Sequence, residues 1–176
     1  MKKILAISGS LRARSTNLTI IENIAAMFLD RIDVTIYEGL ARLPHFNPDL
    51  EREGAEIAEV EDFRRRIRAA EGVLVCTPEY VFSIPGALKN ALEWTVGTND
   101  FDGKPTALIT ASSLGEKTHK SLFLVLKTIN ARITESTALL ISGARTKVDS
   151  TGKLADAAAI EAINLLIESF LRTIDE

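Results

Sequence analysis

Ile4-Leu5-Ala6-Ile7-Ser8, continued by Gly9-Ser10-Leu11-Arg12-Ala13-Arg14-Ser15-Thr16-Asn17, decides the fold of this chain. The run Ile4 to Ile7 is apolar without alternation, as in a parallel strand buried on both faces. Beyond Asn17, Leu18, Ile21, Ile24 and Phe28 recur at the spacing of one helix face, continuing to about Leu29. The order is strand, polar loop, helix. The loop therefore joins the C-terminal end of a first strand to the N-terminal end of a first helix.

Such a loop favours anions. The first N–H groups of a helix lack internal partners, and the helix dipole adds partial positive charge there. Ser10, Ser15, Thr16 and Asn17 contribute hydroxyl and amide donors, and Arg12 and Arg14 contribute charge suited to a phosphate. Gly9 lets the chain leave the strand tightly. A plainer reading stands beside this one, in which Ser15, Thr16 or Asn17 merely caps the helix. The chain has no Gly-x-x-x-x-Gly-Lys-Ser/Thr and no Gly-x-Gly-x-x-Gly, which argues against a nucleoside triphosphate loop and a dinucleotide fingerprint. A hydroxyl-rich loop with arginine suits a terminal phosphate monoester, as on flavin mononucleotide (FMN).

The length of 176 residues favours one domain over 1–176, with room for a proper core. Hydrophobic and charged fractions of 46% and 26% fit an ordinary globular protein. A net charge of −3 gives no reason to expect nucleic acid or an anionic membrane as partner. Met1-Lys2-Lys3 leads into an apolar run too short for a signal core or a membrane span. The single cysteine, Cys76, excludes an internal disulfide framework and fits a reducing cytoplasm; its apolar neighbours make it a small buried residue. His45 and His119 lie far apart and form no metal constellation.

Val34 to Tyr37 reads as a second strand, and Leu43-Pro44-His45-Phe46-Asn47-Pro48-Asp49 as a structured loop. Ile57, Val60, Phe63, Ile67 and Ala70 mark a helix. Its solvated outer face runs from acidic (Glu53, Glu56, Glu59) to basic (Arg64, Arg65, Arg66, Arg68), with Glu61–Arg65 and Asp62–Arg66 as i,i+4 pairs. Gly72 to Cys76 is a third, fully buried strand. It runs into Thr77-Pro78-Glu79-Tyr80-Val81-Phe82-Ser83-Ile84-Pro85-Gly86, a loop stiffened by two prolines and carrying apolar side chains. That composition suits a flat hydrophobic ligand, or packing against another subunit, or both. Ala87 to Trp94 is a helix with Leu88, Ala91 and Leu92 inward. Thr106 to Ala111 is a fourth strand, ending in the polar Ser112-Ser113-Leu114-Gly115. Leu122, Leu126 and Ile129 mark a helix, Ala138 to Ile141 a fifth strand extending back toward Ile133, and Asp149-Ser150-Thr151-Gly152 a turn. Ile160, Ile163, Ile167, Phe170 and Ile174 mark the last helix.

Five strands alternating with five helices is the doubly wound α/β pattern, and the flavodoxin-like parallel order 2-1-3-4-5 satisfies the right-handed crossover rule. Strands one and three are then neighbours, and ligands bind at the crevice beyond their C-terminal ends. Three loops converge there: Gly9–Asn17, Thr77–Gly86 and Ser112–Gly115.

These residues resemble the NAD(P)H-dependent FMN reductase family of flavodoxin-like quinone, azo-dye and chromate reductases. The resemblance rests on Gly9-Ser10-Leu11-Arg12 with Ser15 and Asn17, on Leu43-Pro44-x-Phe46-Asn47-Pro48-Asp49, and on Thr77-Pro78-Glu79-Tyr80. It rests most specifically on Ser83-Ile84-Pro85-Gly86-Ala87-Leu88-Lys89-Asn90-Ala91-Leu92-Glu93-Trp94, with Gly103-Lys104-Pro105 and Lys147-Val148-Asp149 in support. It implies that Ser10, Arg12, Ser15, Thr16 and Asn17 hold the FMN phosphate. It also implies that Pro78, Glu79, Tyr80 and Val81 lie against the ring through backbone groups, and that Ser112, Ser113 and Gly115 complete the site. The implied activity takes electrons from NADPH or NADH and passes them through the flavin to a small-molecule acceptor such as a quinone, in a homodimer or homotetramer. No side-chain nucleophile is implied; Glu79 and Lys89 are expected to be structural. Val81 stands where the family usually has Asn, and Thr118-His119 aligns with a usual Gly-Gly pair, where bulk would narrow the substrate side. His119 is expected at the surface of a helix start. These departures keep a second reading open, a non-catalytic flavin-binding or interaction protein of the same fold.

Overall fold

Apolar runs too uniform to face water give the computed structural model, which describes residues 1–52 and 56–176, its central sheet. The strands are β1 Lys2–Ser8, β2 Ile32–Ile36, β3 Gly72–Thr77, β4 Thr106–Ser112 and β5 Ala138–Ser142. All pair in parallel, in the order β2-β1-β3-β4-β5. This is the flavodoxin-like arrangement read from the sequence. The helices are α1 Thr16–Met27, α2 Pro48–Arg52, α3 Ala58–Ala69, α4 Gly86–Glu93, α5 Glu116–Thr128 and α6 Ala157–Asp175.

Alternation along β1 divides the core. Leu5 and Ile7 face a layer made by α3, α4 and α5, through Phe63, Ile67, Leu88, Leu92, Leu122 and Leu126. Ile4 and Ala6 face α1 and α6, through Ile20, Ile21, Ile24, Ile163, Ile167 and Phe170. Buried Cys76 belongs to that second layer. Among the described residues, no helix is long and apolar enough to cross a membrane.

Four details differ from the sequence reading. β2 starts at Ile32, which is buried and pairs with Lys2, and ends before Tyr37. β5 starts at Ala138, because a reciprocal Thr134–Thr137 capping box winds Glu135–Thr137 into a 3-10 turn after Ile133. The 43–49 loop ends in α2: Pro48 takes the first helical position, and the Asn47 side chain accepts from the Asp49 N–H at 3.0 Å. Asn90 and Trp94 of the α4 segment both donate to the Pro44 carbonyl, at 2.9 and 2.8 Å, and so pin the start of that loop.

The fourth difference concerns α3. Its outer face is solvated at Arg65, but Arg64 is buried. The Arg64 guanidinium donates to the Trp94 carbonyl, to Glu51 of α2 and to Glu61 at 2.8 Å. It also lies 3.8 Å from Asp100, whose buried carboxylate pairs with Arg68. Asp62–Arg66 forms as expected at 2.7 Å; Glu61 pairs with Arg64 and Arg68 rather than Arg65, which reaches Asp62. Glu53 lies outside the described residues.

Candidate functional site

The switch point of the sheet is built on a close approach. The Gly9 N–H donates to the Cys76 carbonyl at 2.9 Å, joining the ends of β1 and β3. A Cβ on Gly9 would fall 2.2 Å from Thr77 Oγ1 and 3.0 Å from Leu88 Cδ2, so any larger residue would push the two loops apart. Above this contact lies a cleft of about 140 Å3, lined from β1 and α1 by Ser10, Arg12, Ser15, Thr16 and Asn17. Pro78, Glu79 and Tyr80 line it from the β3 side, and Ser112 and Ser113 from β4. These residues are thus gathered as the sequence reading places them. Val81 and Gly115 do not line the cleft, and Arg14, although exposed, lies outside it. Sequence reasoning missed Ala111, Ala144 and Arg145, which also line it. Ala144 and Arg145 sit just past the C-terminal end of β5, a placement that no sequence motif marks. A groove at the opposite ends of β1 and β2, near Lys3 and Asp33, has no such set of converging hydroxyls.

Ser15 caps α1: its hydroxyl accepts from the Asn17 N–H at 3.2 Å, leaving Thr16 and Leu18 N–H groups without intrahelical partners. The Asn17 side chain points into the sheet. It donates to the Ala111 carbonyl at 3.3 Å and accepts from the Cys76 thiol at 3.4 Å. Burial pushes the Cys76 thiol far up, which keeps it protonated and inert. The Ser10 and Tyr80 hydroxyls lie 3.1 Å apart, linking the first loop to the second.

Glu79 joins the second loop to the third. α5 is preceded by Gly115, which is left-handed (φ 93) and has no side chain to cap the helix; a Cβ there would meet Leu140 at 2.8 Å. Glu79 supplies the cap, accepting from the Thr118 N–H at 3.0 Å and the Gly115 N–H at 3.2 Å. The Thr118 N–H above all holds the Glu79 carboxyl below the ordinary glutamate range. Thr118 is buried, and neither it nor His119 lines the cleft. His119 is half-buried rather than on the surface, with Nδ1 3.0 Å from Thr110 Oγ1, and burial lowers its pKa. Neither residue therefore narrows this cleft.

Tyr80 and Ser83 exchange both backbone hydrogen bonds, at 3.1 and 2.9 Å, around Val81 (φ 51) and Phe82 (φ 55). Two consecutive left-handed residues make a primed hairpin turn, which ordinarily selects Asn-Gly. Here a β-branched and an aromatic residue occupy it, and both project into solvent.

A 2-1-3-4-5 parallel sheet with three polar loops converging at its switch point defines a flavodoxin-like domain with a hydroxyl-lined, cationic cleft. The chain belongs to the NADPH-dependent FMN reductase family, whose model matches residues 2–162. It is 31% identical to an NAD(P)H-dependent FMN reductase of Pseudomonas aeruginosa, covering 95% of this chain and 92% of the relative. It is 29% identical to a quinone reductase of Escherichia coli, covering 96% and 93%. Among solved structures, FerB, a flavoenzyme NAD(P)H:(acceptor) oxidoreductase from Paracoccus denitrificans, superposes with a TM-score of 0.88 at 25% identity, covering 99% and 98%.

Proposed function

We propose that this protein is an FMN-dependent oxidoreductase that draws electrons from NADPH or NADH and delivers them to a quinone or similar small acceptor. One observation carries the reading. The neutral-capped start of α1, three hydroxyls and Arg12 meet the Pro78–Tyr80 loop in one cleft at the sheet's switch point, in a member of the FMN reductase family. The donor set fits the cofactor. A phosphate monoester needs charge-assisted N–H and O–H donors with no competing carboxylate. Glu79, the only carboxylate lining the cleft among the described residues, is already engaged at α5.

In this reading Ser10, Arg12, Ser15 and Thr16 bind the phosphate, and Asn17 fixes the first turn of α1 against β3 and β4. The backbone of Pro78 to Tyr80 orients the ring, Glu79 holds that backbone against α5, and Ser112 and Ser113 form the remaining wall. FMN held there would supply the two-electron redox chemistry that links the nicotinamide to the acceptor. The protein binds, orients and excludes water; no side chain acts as a nucleophile. The alternative, a non-catalytic flavin-binding or interaction protein of the same fold, is motivated by Val81 and Thr118-His119, and none of the three lines the cleft. The proposal treats residues 1–176 as one FMN-binding domain. It adds a cytoplasmic setting, in keeping with the lone buried thiol, and a homodimer or homotetramer, in keeping with exposed Leu11, Val81, Phe82 and Leu114.

The test is an absorption spectrum of the purified protein with FMN, followed by anaerobic NADPH or NADH and then a quinone. Bleaching by the nucleotide and recovery with quinone is expected. Tight FMN binding without bleaching by either nucleotide would overturn the reductase reading.

A further inference from the structure

Arg145 is the second guanidinium on the cleft, and no motif predicts it. It follows Gly143, whose left-handed backbone (φ 63) ends β5 and turns the chain back toward the third loop. Two hydrogen bonds fix that turn: the Gly143 N–H donates to the Ser113 carbonyl at 3.1 Å, and the Ser142 hydroxyl donates to the Leu114 carbonyl at 2.9 Å. Buried Ala144 anchors the 3-10 turn Ala144–Lys147 from below. Arg145 is thereby held at the rim on a well-tied segment.

The neighbouring cation is committed elsewhere, since Lys147 pairs with Asp156 at 2.8 Å. The Arg145 side chain has no hydrogen bond or ion pair with any described residue, and neither does that of Arg12. Two free guanidinium groups therefore flank one hydroxyl-lined cleft, from the β1 loop and from the β5 turn. A single arginine cannot neutralise a phosphate monoester, which carries about −1.5 to −2 charge at neutral pH. A pair approaching from two sides can, and each planar fork can make two parallel N–H···O bonds.

We propose that Arg145 is a second phosphate-binding residue that closes the cradle on the side away from Arg12 and makes the site select FMN over riboflavin. This rests on the FMN reading above. The experiment measures FMN and riboflavin affinity by quenching of flavin fluorescence, at low and high salt, for the intact protein and for Arg145→Ala, Arg145→Gln and Arg145→Lys. The Arg145 side chain makes no hydrogen bond with any described residue, so the variants are expected to fold. Arg145→Ala and Arg145→Gln are expected to weaken FMN about tenfold and riboflavin by less than about twofold, with a shallower salt dependence. Arg145→Lys is expected to recover part of the FMN loss, because charge returns without the fork. Equal losses for both flavins would overturn the proposal, as would unchanged FMN affinity in a protein that binds FMN. Unchanged FMN affinity with a raised KM for NADPH but not NADH would also overturn it, assigning the arginine to the nucleotide's 2′-phosphate. Failure of the unmutated protein to bind FMN would instead bring down the underlying reading.

Discussion

Replacing Val81 by asparagine is expected to stabilise the protein. Val81 sits at φ 51 and its neighbour Phe82 at φ 55, a region where Cβ crowds the following carbonyl. A residue held there costs about 1–3 kcal/mol, and a branched Cβ places valine toward the upper end. Nothing in packing offsets that cost within the chain, because Val81 is 96% exposed. Asparagine tolerates the left-handed region and keeps the paired hydrogen bonds of Tyr80 and Ser83, so it recovers about 1 kcal/mol. Glycine removes the steric cost entirely but adds about 0.5–1 kcal/mol of unfolded-state entropy, leaving a similar net gain. Alanine relieves only the branching and falls between. For a chain of this size, 1 kcal/mol moves Tm by about 2–4 °C. The assay is urea and thermal unfolding of the Asn, Gly and Ala variants at low and high protein concentration. Stability in the order Asn and Gly, then Ala, then wild type, at both concentrations, is expected. If all three variants are less stable, the strain argument fails. A loss confined to high concentration would show that Val81 is held in place by a second copy.

Gly9→Ala brings a Cβ to 2.2 Å from Thr77 Oγ1. About 1–3 kcal/mol of destabilisation is expected, read by urea midpoint, together with weakened FMN binding as the first two loops separate. Glu79→Gln removes an ionised cap from α5 and is expected to cost about 1 kcal/mol at neutral pH. Because the folded-state pKa of Glu79 is depressed, its contribution is complete above the unfolded value of about 4.3 and is lost as pH falls through the folded value. The stability difference between wild type and Glu79→Gln should therefore vanish in that acid range, which urea melts from strongly acidic to neutral pH will show. Arg64→Ala leaves the Trp94 carbonyl and Glu51 without their guanidinium, and the buried Asp100 carboxylate with Arg68 alone; about 3–5 kcal/mol is expected to be lost. Arg64→Met, which fills the volume but not the charge, should be no better, as measured by equilibrium unfolding.

The sheet was legible because its strands are short apolar runs without alternation, each followed by a polar loop and a helical repeat. α2 was not, since five residues are too few for a periodic signal and only the Asn47-Pro48 step announces it. Arg64 was misread as solvated by residue type. Its spacing told otherwise: it lies four residues after Val60 and three before Ile67, within the buried stripe of α3. At the site, the hydroxyls and Arg12 were legible because they are contiguous and sit at a helix start. The role of Glu79 was not, because its partners lie 36 and 39 residues further along the chain. The left-handed turn at Val81 and Phe82 was hidden because neither residue type signals it. Arg145 was hidden because it belongs to no pattern and acquires its place only through the turn at Gly143.

The cap on α5 bears on where negative charge can settle. α1, α4, α5 and α6 all follow strands and point their positive ends at the same edge of the sheet. α5 has that end neutralised by Glu79, and α6 has it neutralised by Asp156, which accepts from the Ala159 N–H at 2.9 Å. α4 follows Pro85 and has no side-chain cap, while α1 is capped by a neutral serine and flanked by Arg12. On the face shared by α1 and α6, an approaching dianion meets one open positive end and one closed by a carboxylate. The capping pattern thus favours the α1 end for a ligand's charged group before any contact with its rings is made.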